Sequence, residues 1–196
     1  MTIAPAIRPA LDDQEVAAAA DLIALSFDHL GANHYLVPVE SERLTVMRAF
    51  FLAETERAAN GAGQVLVTED AVAVWFDRTR QHPLPEGYEE KFAAAVGPHL
   101  ERFGELDELF EANHPAEPHW HLAFLAVHPE RWGHGLGSAL MRHTHARLDA
   151  EGLPAYLEAT NADNQRVYKR HGYEDMEPSA ILLGDGTPFF RMWRAV

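Results

Sequence analysis

Phe124-Leu125-Ala126-Val127-His128-Pro129-Glu130-Arg131-Trp132-Gly133-His134-Gly135-Leu136-Gly137-Ser138 decides the reading of this chain. An apolar run of strand-forming residues ends at Pro129, and three glycines follow at alternating positions. Ser138 through Leu148 then repeat apolar residues at helical spacing. Strand, glycine loop and helix together turn backbone N–H groups and a helix N-terminus toward a phosphate. Glycine-rich turns also occur where only the backbone geometry requires them, so the loop takes its meaning from its surroundings.

Working outward, residues 119–127 predict a strand, 137–152 a helix and 155–159 a second strand. A strand-helix-strand unit implies parallel pairing at that point. Residues 164–171 predict a short helix stopped by Gly172. Tyr173 begins another strand, Gly184-Asp185-Gly186 forms a turn, and 189–194 closes the sheet. Toward the N-terminus, 3–10 predicts a first strand and Asp12 an N-cap for a helix running to about Phe27. A second helix fits 41–59, opened by Glu42-Arg43 and closed by Asn60-Gly61. Strands at 64–68 and 72–76 flank the turn Glu69-Asp70-Ala71, and 83–87 is a loop. Helical segments follow between Tyr88 and Asn113, with breaks expected near Gly97-Pro98 and Gly104. The expected architecture is α/β: a mixed, mostly antiparallel sheet flanked by helices.

The 196 residues suffice for one well-cored domain, and the 47% hydrophobic and 23% charged fractions read as soluble and globular. With no cysteine, disulfides, thiolate metal sites and a cysteine nucleophile are excluded. Residues 1–13 show no cationic start followed by an apolar core, and no window reaches the roughly 20 apolar residues of a membrane helix. A cytoplasmic location is expected, with no membrane partner. Thirty acidic against sixteen basic side chains, a formal charge of −14, argue against a nucleic-acid partner. The same charge attracts cationic small molecules, although it also serves plain solubility.

Three phosphate or nucleophile motifs compete for the loop. A dinucleotide fingerprint needs glycine where Ser138 stands, a Walker A loop needs a Gly-Lys-Ser/Thr ending, and a nucleophile elbow needs a glycine two residues beyond its serine. None fits. Instead Leu125-Ala126-Val127-His128-Pro129 followed by Gly133-His134-Gly135-Leu136-Gly137-Ser138-Ala139-Leu140-Met141 resembles motif A of the GNAT acyltransferase superfamily. Asn161-Ala-Asp-Asn164-Gln-Arg-Val-Tyr168-Lys-Arg-His-Gly172-Tyr173 resembles its motif B, in the right order and at the right distance. The resemblance covers about residues 119–174 and implies a single domain over 1–196 with a splayed parallel strand pair at its centre. It also implies acetyl-CoA as cosubstrate. The cofactor would contact Leu125, Ala126 and Val127 on the strand, Trp132, Gly133, His134, Gly135, Leu136, Gly137 and Ser138 in the loop, and Asn161, Asn164 and Tyr168 beyond it.

The loop departs from the family pattern at two positions. Trp132 stands where Gln or Arg is usual, and His134 where a basic residue is frequent. The backbone N–H groups are retained, while side-chain help toward a pyrophosphate is reduced. An indole at 132 also fits a place over apolar surface. Within the superfamily, Glu117-Pro118-His119-Trp120-His121-Leu122 and Gly152-Leu153-Pro154-Ala155-Tyr156-Leu157-Glu158-Ala159-Thr160 are similar to the puromycin N-acetyltransferase group. That similarity implies N-acetylation of a small molecule.

Acetyl transfer to an amine needs a neutral nitrogen, a polarised thioester carbonyl and a proton for the departing thiolate. His121 stands where histone-type family members carry a basic glutamate, and an ordinary imidazole is largely neutral near pH 7. Strict alternation would put His119, His121, Ala123 and Leu125 on one strand face. Glu158 on the neighbouring strand is the second candidate base. The resemblance assigns carbonyl polarisation to the Leu125 N–H, which a regular ladder would consume, so a bulge or splay is required there. It assigns Tyr168 as the acid toward sulfur, and Asn164 and Asn161 to the pantetheine arm or to ordering their own turn. Each of these residues also has an ordinary reading as a hydrogen-bonded strand histidine, a strand-end charge or a core aromatic.

His119-x-His121 projects two rings to one face, but His143 and His145 diverge on a helix and no third ligand is evident, so no metal is expected. The favoured acceptor is a primary amine of a small molecule, in a pocket closed by the N-terminal helices and residues 78–118, where Phe27, Tyr35, Trp75 and Phe76 supply aromatic surface. Alternatives are a protein or peptide amine in an open groove, or a coenzyme A-binding module without turnover. Monomer and homodimer are both compatible with the sequence.

Overall fold

The computed structural model describes residues 6–196. Helix α1 (Asp13–Phe27) starts as Asp12 predicts, with its Oδ1 accepting from the Glu15 N–H at 2.9 Å. Glu15 reaches back to the Leu11 N–H at 2.8 Å and to Arg8, which ties down the preceding chain. The short helix α2 (Gly31–Leu36) was not expected. Six residues carry too little periodicity to register, and the turn is fixed instead by Asn33 Nδ2 donating to the Phe27 carbonyl. Helix α3 (Glu40–Arg57) unwinds through a wide turn at Ala58–Ala62. After it come α4 (Tyr88–Val96), α5 (Leu100–Asn113), α6 (Leu136–Glu151) and α7 (Ala162–Lys169).

The strands are β1 (Arg8–Pro9), β2 (Gly63–Val67), β3 (Ala71–Asp77), β4 (Trp120–Val127), β5 (Ala155–Ala159), β6 (Glu174–Leu182) and β7 (Pro188–Arg194). They form one sheet in the order β1-β2-β3-β4-β5-β7-β6. Every pairing is antiparallel except β4 with β5. Of the expected strand 3–10, residues 3–5 lie outside the described residues, and among the rest only Arg8 and Pro9 pair.

Two cores sandwich the sheet. On one face, α1, α3, α4 and α5 pack Phe27, Phe50, Phe51, Phe92, Phe103 and Phe124 with ring centroids 4.9–6.5 Å apart. On the other, α6 lays Leu140, Met141 and Leu148 over Trp75, Leu122 and Leu157. A fully buried side chain of this size contributes about 2–3 kcal/mol, so these two layers fix the positions of the strands between them. Trp75 and Phe76 are consumed by these cores, and Phe27 packs on Phe51 and Phe124. Trp75 and Phe76 are therefore not free to supply aromatic surface to an acceptor pocket, contrary to expectation.

The expected break at Gly104 is also absent, because α5 runs through it. Phe103, Leu106 and Phe110 pack inward on either side of that position, and their burial outweighs the roughly 1 kcal/mol that glycine costs a helix. A Cβ at Gly104 would meet no atom within 4 Å. Gly104→Ala should therefore stabilise the protein by about 0.5–1 kcal/mol, read as a higher urea midpoint at unchanged m-value.

Candidate active site

The parallel pair β4–β5 is joined at only two positions, Trp120↔Ala155 and His121↔Tyr156. Beyond them β4 pairs only with β3, and β5 only with β7. The cause lies in β4 itself. Val74 faces Phe124 while Trp75 faces Leu122, so Ala123 is one residue too many and forms a bulge. Before the bulge the odd residues face β3: the His119 carbonyl accepts from Arg78 N–H at 2.9 Å, and Trp120 N–H turns the other way to Pro154. After it the even residues face β3, as His128 N–H shows by donating to Asp70 at 2.8 Å. Leu125 and Val127 thus turn their N–H and C=O groups into the gap where β5 has splayed away. The bulge also corrects the expected face pattern. Leu125 packs with α6, on the opposite side of the sheet from Ala123.

The Val127 carbonyl in the gap accepts from Ser26 Oγ at 2.9 Å and from Trp132 Nε1 at 2.8 Å. Trp132 is half exposed and lies against His29, with ring centroids 5.4 Å apart. It is therefore tethered by its N–H rather than spread over apolar surface. Gly133 and Gly135 have φ of +78° and +79°, the left-handed region that side chains rarely enter. These two turns deliver the chain to the start of α6, whose N-cap, Gly135, has no side chain to offer. The N–H groups of Leu136, Gly137 and Ser138 precede the first intrahelical bond, Ala139 N–H to Gly135 at 2.9 Å, and no acidic residue occupies the first turn. Uncapped donors at a helix N-terminus form an anion cradle. The His134 ring lies 3.0–3.1 Å from the Arg131 and Trp132 carbonyls, so its Nδ1–H is directed into the loop's own backbone.

At the other end of the gap, His121 Nε2 lies 2.7 Å from Glu158 Oε2, both side chains being buried. His114, at the end of α5, closes over them with its ring 5.1 Å from His121 and 5.0 Å from Tyr156. Its Nε2 is 3.1 Å from His119 Nε2, while His119 Nδ1 donates to the Glu117 carbonyl at 2.6 Å. That carbonyl only accepts, so the proton sits on His119 Nδ1 and His114 Nε2–H completes the chain. Burial, reinforced by neighbouring positive groups, pushes His114 down to about 2 and His119 to about 4. His121 Nδ1, Glu158 Oε1, Tyr156 Oη and Arg191 Nε are buried without protein partners. His114, Tyr156 and Arg191 escaped sequence reasoning. They meet through cross-strand register, Glu158 facing Arg191 and His121 facing Tyr156, although the run from His114 to His121 holds three histidines in eight residues.

The remaining expected residues lie across β5. Tyr168, half-buried on α7, packs 5.9 Å from Tyr173, and burial pushes its phenol up to about 12. Asn161 caps α7 by accepting from the Asn164 N–H at 2.8 Å, and Asn164 Nδ2 donates to Thr160. Both asparagines therefore order their own turn. The structure brings His121 and Glu158 into contact, sets Leu125 between them and the glycine loop, and places Tyr168 on the α7 side of the gap. No group of three or more metal-ligating side chains is found among the described residues.

A model of the Acetyltransferase (GNAT) family matches residues 54–173. The chain belongs to the GNAT acetyltransferase family. Among solved structures, it is 25% identical to a protein of Corynebacterium glutamicum described as histone acetyltransferase HPA2 and related acetyltransferase. The match covers 98% of this chain and 97% of that one, with a TM-score of 0.74. The PaiA N-acetyltransferase of Thermoplasma acidophilum, solved in complex with coenzyme A, shares the GNAT fold at 12% identity, covering 99% and 100% of the two chains with a TM-score of 0.57. A mosquito protein named arylalkylamine N-acetyltransferase like 5b does so at 16% identity, 97% and 99% coverage and a TM-score of 0.56.

The neutral histidines of this GNAT chain make its stability pH-dependent. His114, His119 and also His145, pushed down to about 4 by burial and Arg194, stay uncharged when folded but titrate normally when unfolded. The unfolded state thus gains protons, and stability falls, as pH drops from about 7.5 toward about 4; above about 8 the three contribute almost no slope. Urea unfolding at pH 5.5 against pH 7.5 should show a loss on the order of 1 kcal/mol per histidine, a few kcal/mol in all. His119→Asn should shrink that loss by about one third; an equal loss in the variant would refute the assignment.

Proposed function

We propose that this chain is an N-acetyltransferase that moves the acetyl group of acetyl-CoA to a primary amine of a small molecule. The observation that carries this reading is the unpaired gap between β4 and β5, running from the uncapped N-terminus of α6 to the buried His121–Glu158 pair. The pyrophosphate of the cosubstrate sits on the N–H groups of Gly133 and of residues 135–138, and the pantetheine arm lies along Leu125, Ala126 and Val127.

The chemistry follows from the atoms at the far end. Glu158 Oε2 accepts from His121 Nε2–H, which leaves the Nδ1 lone pair bare and without a protein partner. A carboxylate that orients and polarises an imidazole makes it a base, and Nδ1 is the atom that takes the proton of the attacking amine. The new C–N bond forms as the thioester oxygen turns toward the Leu125 N–H. The C–S bond then breaks, and Tyr168, still protonated at neutral pH, supplies a proton to the sulfur.

A small acceptor is favoured by the segments around His119 and Glu158 that are similar to the puromycin N-acetyltransferase group. The chain works as one domain over 1–196, in the cytoplasm where coenzyme A is abundant. A second reading, acetylation of a protein amine, is favoured by the Corynebacterium relative, whose name includes a histone acetyltransferase.

Release of free thiol from acetyl-CoA across a panel of small amines and peptides separates these readings. A small amine should give the highest kcat/KM; preference for peptides would establish the second reading, and binding of acetyl-CoA with no release would remove both. Tyr168→Phe should lower kcat by about 10²-fold with KM for acetyl-CoA changed less than about twofold. Full activity in that variant would take the acid role from Tyr168.

A further inference from the structure

Residues 132–138 contain no lysine or arginine, and Arg131, just before them, is paired with Asp70 at 3.0 Å. The cradle is thus made of neutral dipoles. Ser138, in the first turn of α6, is joined from outside the loop: its Oγ lies 2.9 Å from Nε2 of His171, in the turn that follows α7. The charged and titratable groups around that ring are Arg142 and His145 on α6, Arg170 beside it, and Arg194 on β7, itself paired with Asp149. Arg142 and Arg170 form no ion pair among the described residues.

We propose that His171 is a positioning residue for the pyrophosphate of coenzyme A, fixing the Ser138 hydroxyl in the cradle and taking up a proton as the dianion arrives. The proposal rests on the acetyl-CoA reading. In the free protein, burial and the guanidinium groups of Arg142, Arg170 and Arg194 keep His171 below its ordinary value, so it is neutral at pH 7 and above. A pyrophosphate on the other side of Ser138 opposes those charges and raises it. The bound form then holds more protons than the free form. Affinity through this residue is therefore greater at low pH and declines as pH rises past the free value toward the bound one. With the proton on Nε2, His171 donates to Ser138 Oγ, whose own hydrogen is freed for a phosphate oxygen.

Calorimetric titration of coenzyme A into the full chain, at pH 7 in two buffers of different ionisation enthalpy, measures affinity and proton uptake together. His171→Ala and Ser138→Ala should each weaken binding about tenfold and, combined, no further. His171→Gln keeps a donor near Nε2, so it should restore most of the affinity but abolish the uptake assigned to His171. His134→Gln, in the loop itself, should leave that uptake intact, and the wild-type-minus-variant difference removes protons taken by the ligand's own phosphates. Melting curves confirm that each variant is folded, and His171→Gln serves should His171→Ala not fold. Uptake undiminished in His171→Gln, or wild-type affinity in both His171→Ala and Ser138→Ala, overturns the proposal alone. Failure of the wild-type chain to bind coenzyme A overturns the acetyl-CoA reading and this proposal with it.

Discussion

One supernumerary residue, Ala123, sets the geometry on which the rest of the site depends. A strand in a regular ladder exhausts its N–H groups on its neighbours, and a parallel pair in the middle of a sheet would leave none for chemistry. By adding a residue to β4 without adding one to β3, the bulge reverses which groups face which side. Two β4–β5 pairs form before it and none after it. The gap is held open by packing on both faces: Phe124 and Ala126 are fixed among the phenylalanines of one core, while Leu125 and Val127 are fixed against α6. Closing it would require both cores to repack.

That constraint also reconciles an acidic chain with an anionic cosubstrate. A formal charge of −14 repels phosphate at long range, so attraction has to come from short-range, directional groups. The first turn of α6 carries no carboxylate, and its N–H groups are not capped. The neighbouring carboxylates Asp70, Asp149, Asp163 and Asp175 are each engaged by an arginine or lysine. Glu130, just ahead of the loop, is a carboxylate there without an ion-pair partner among the described residues, and it is exposed to solvent.

Much of this was legible in the sequence because local chemistry enforces it. Pro129 ending a strand, glycines at 133 and 135 and an asparagine at 161 each specify a backbone conformation within a few residues, and the structure adopts them. The contact between His121 and Glu158 was half legible, since each was named but their pairing needed the register of β4 against β5. Ala123 was not legible, because a classical bulge needs no special residue and an alanine in an apolar strand gives no sign of one. The misplaced face of Leu125 follows directly from that. Gly104 and α2 failed for a related reason: burial decided the first against its propensity, and a side-chain bond from Asn33 fixed the second where periodicity was too short to speak.

The stability cost of the far end of the gap argues for its use. A buried ion pair is seldom worth more than the apolar residues that would replace it, and each buried polar atom left without a partner costs about 1–3 kcal/mol. Here His121 Nδ1 has no protein partner and Glu158, Tyr156 and Arg191, on neighbouring strands, crowd their buried polar atoms together, while His114 and His119 beside them are bonded to each other and kept neutral. Arrays of this kind persist where something beyond folding selects them. The neutral histidine pair next to a carboxylate-bound imidazole adds no charge of its own to that of Arg191 at the spot where, on the proposed reading, an amine must lose its proton. The same groups that make this region acid-sensitive thus prepare it to receive a neutral amine, and on the proposed reading the fold gives up stability at the one place where the reaction needs an unsatisfied base.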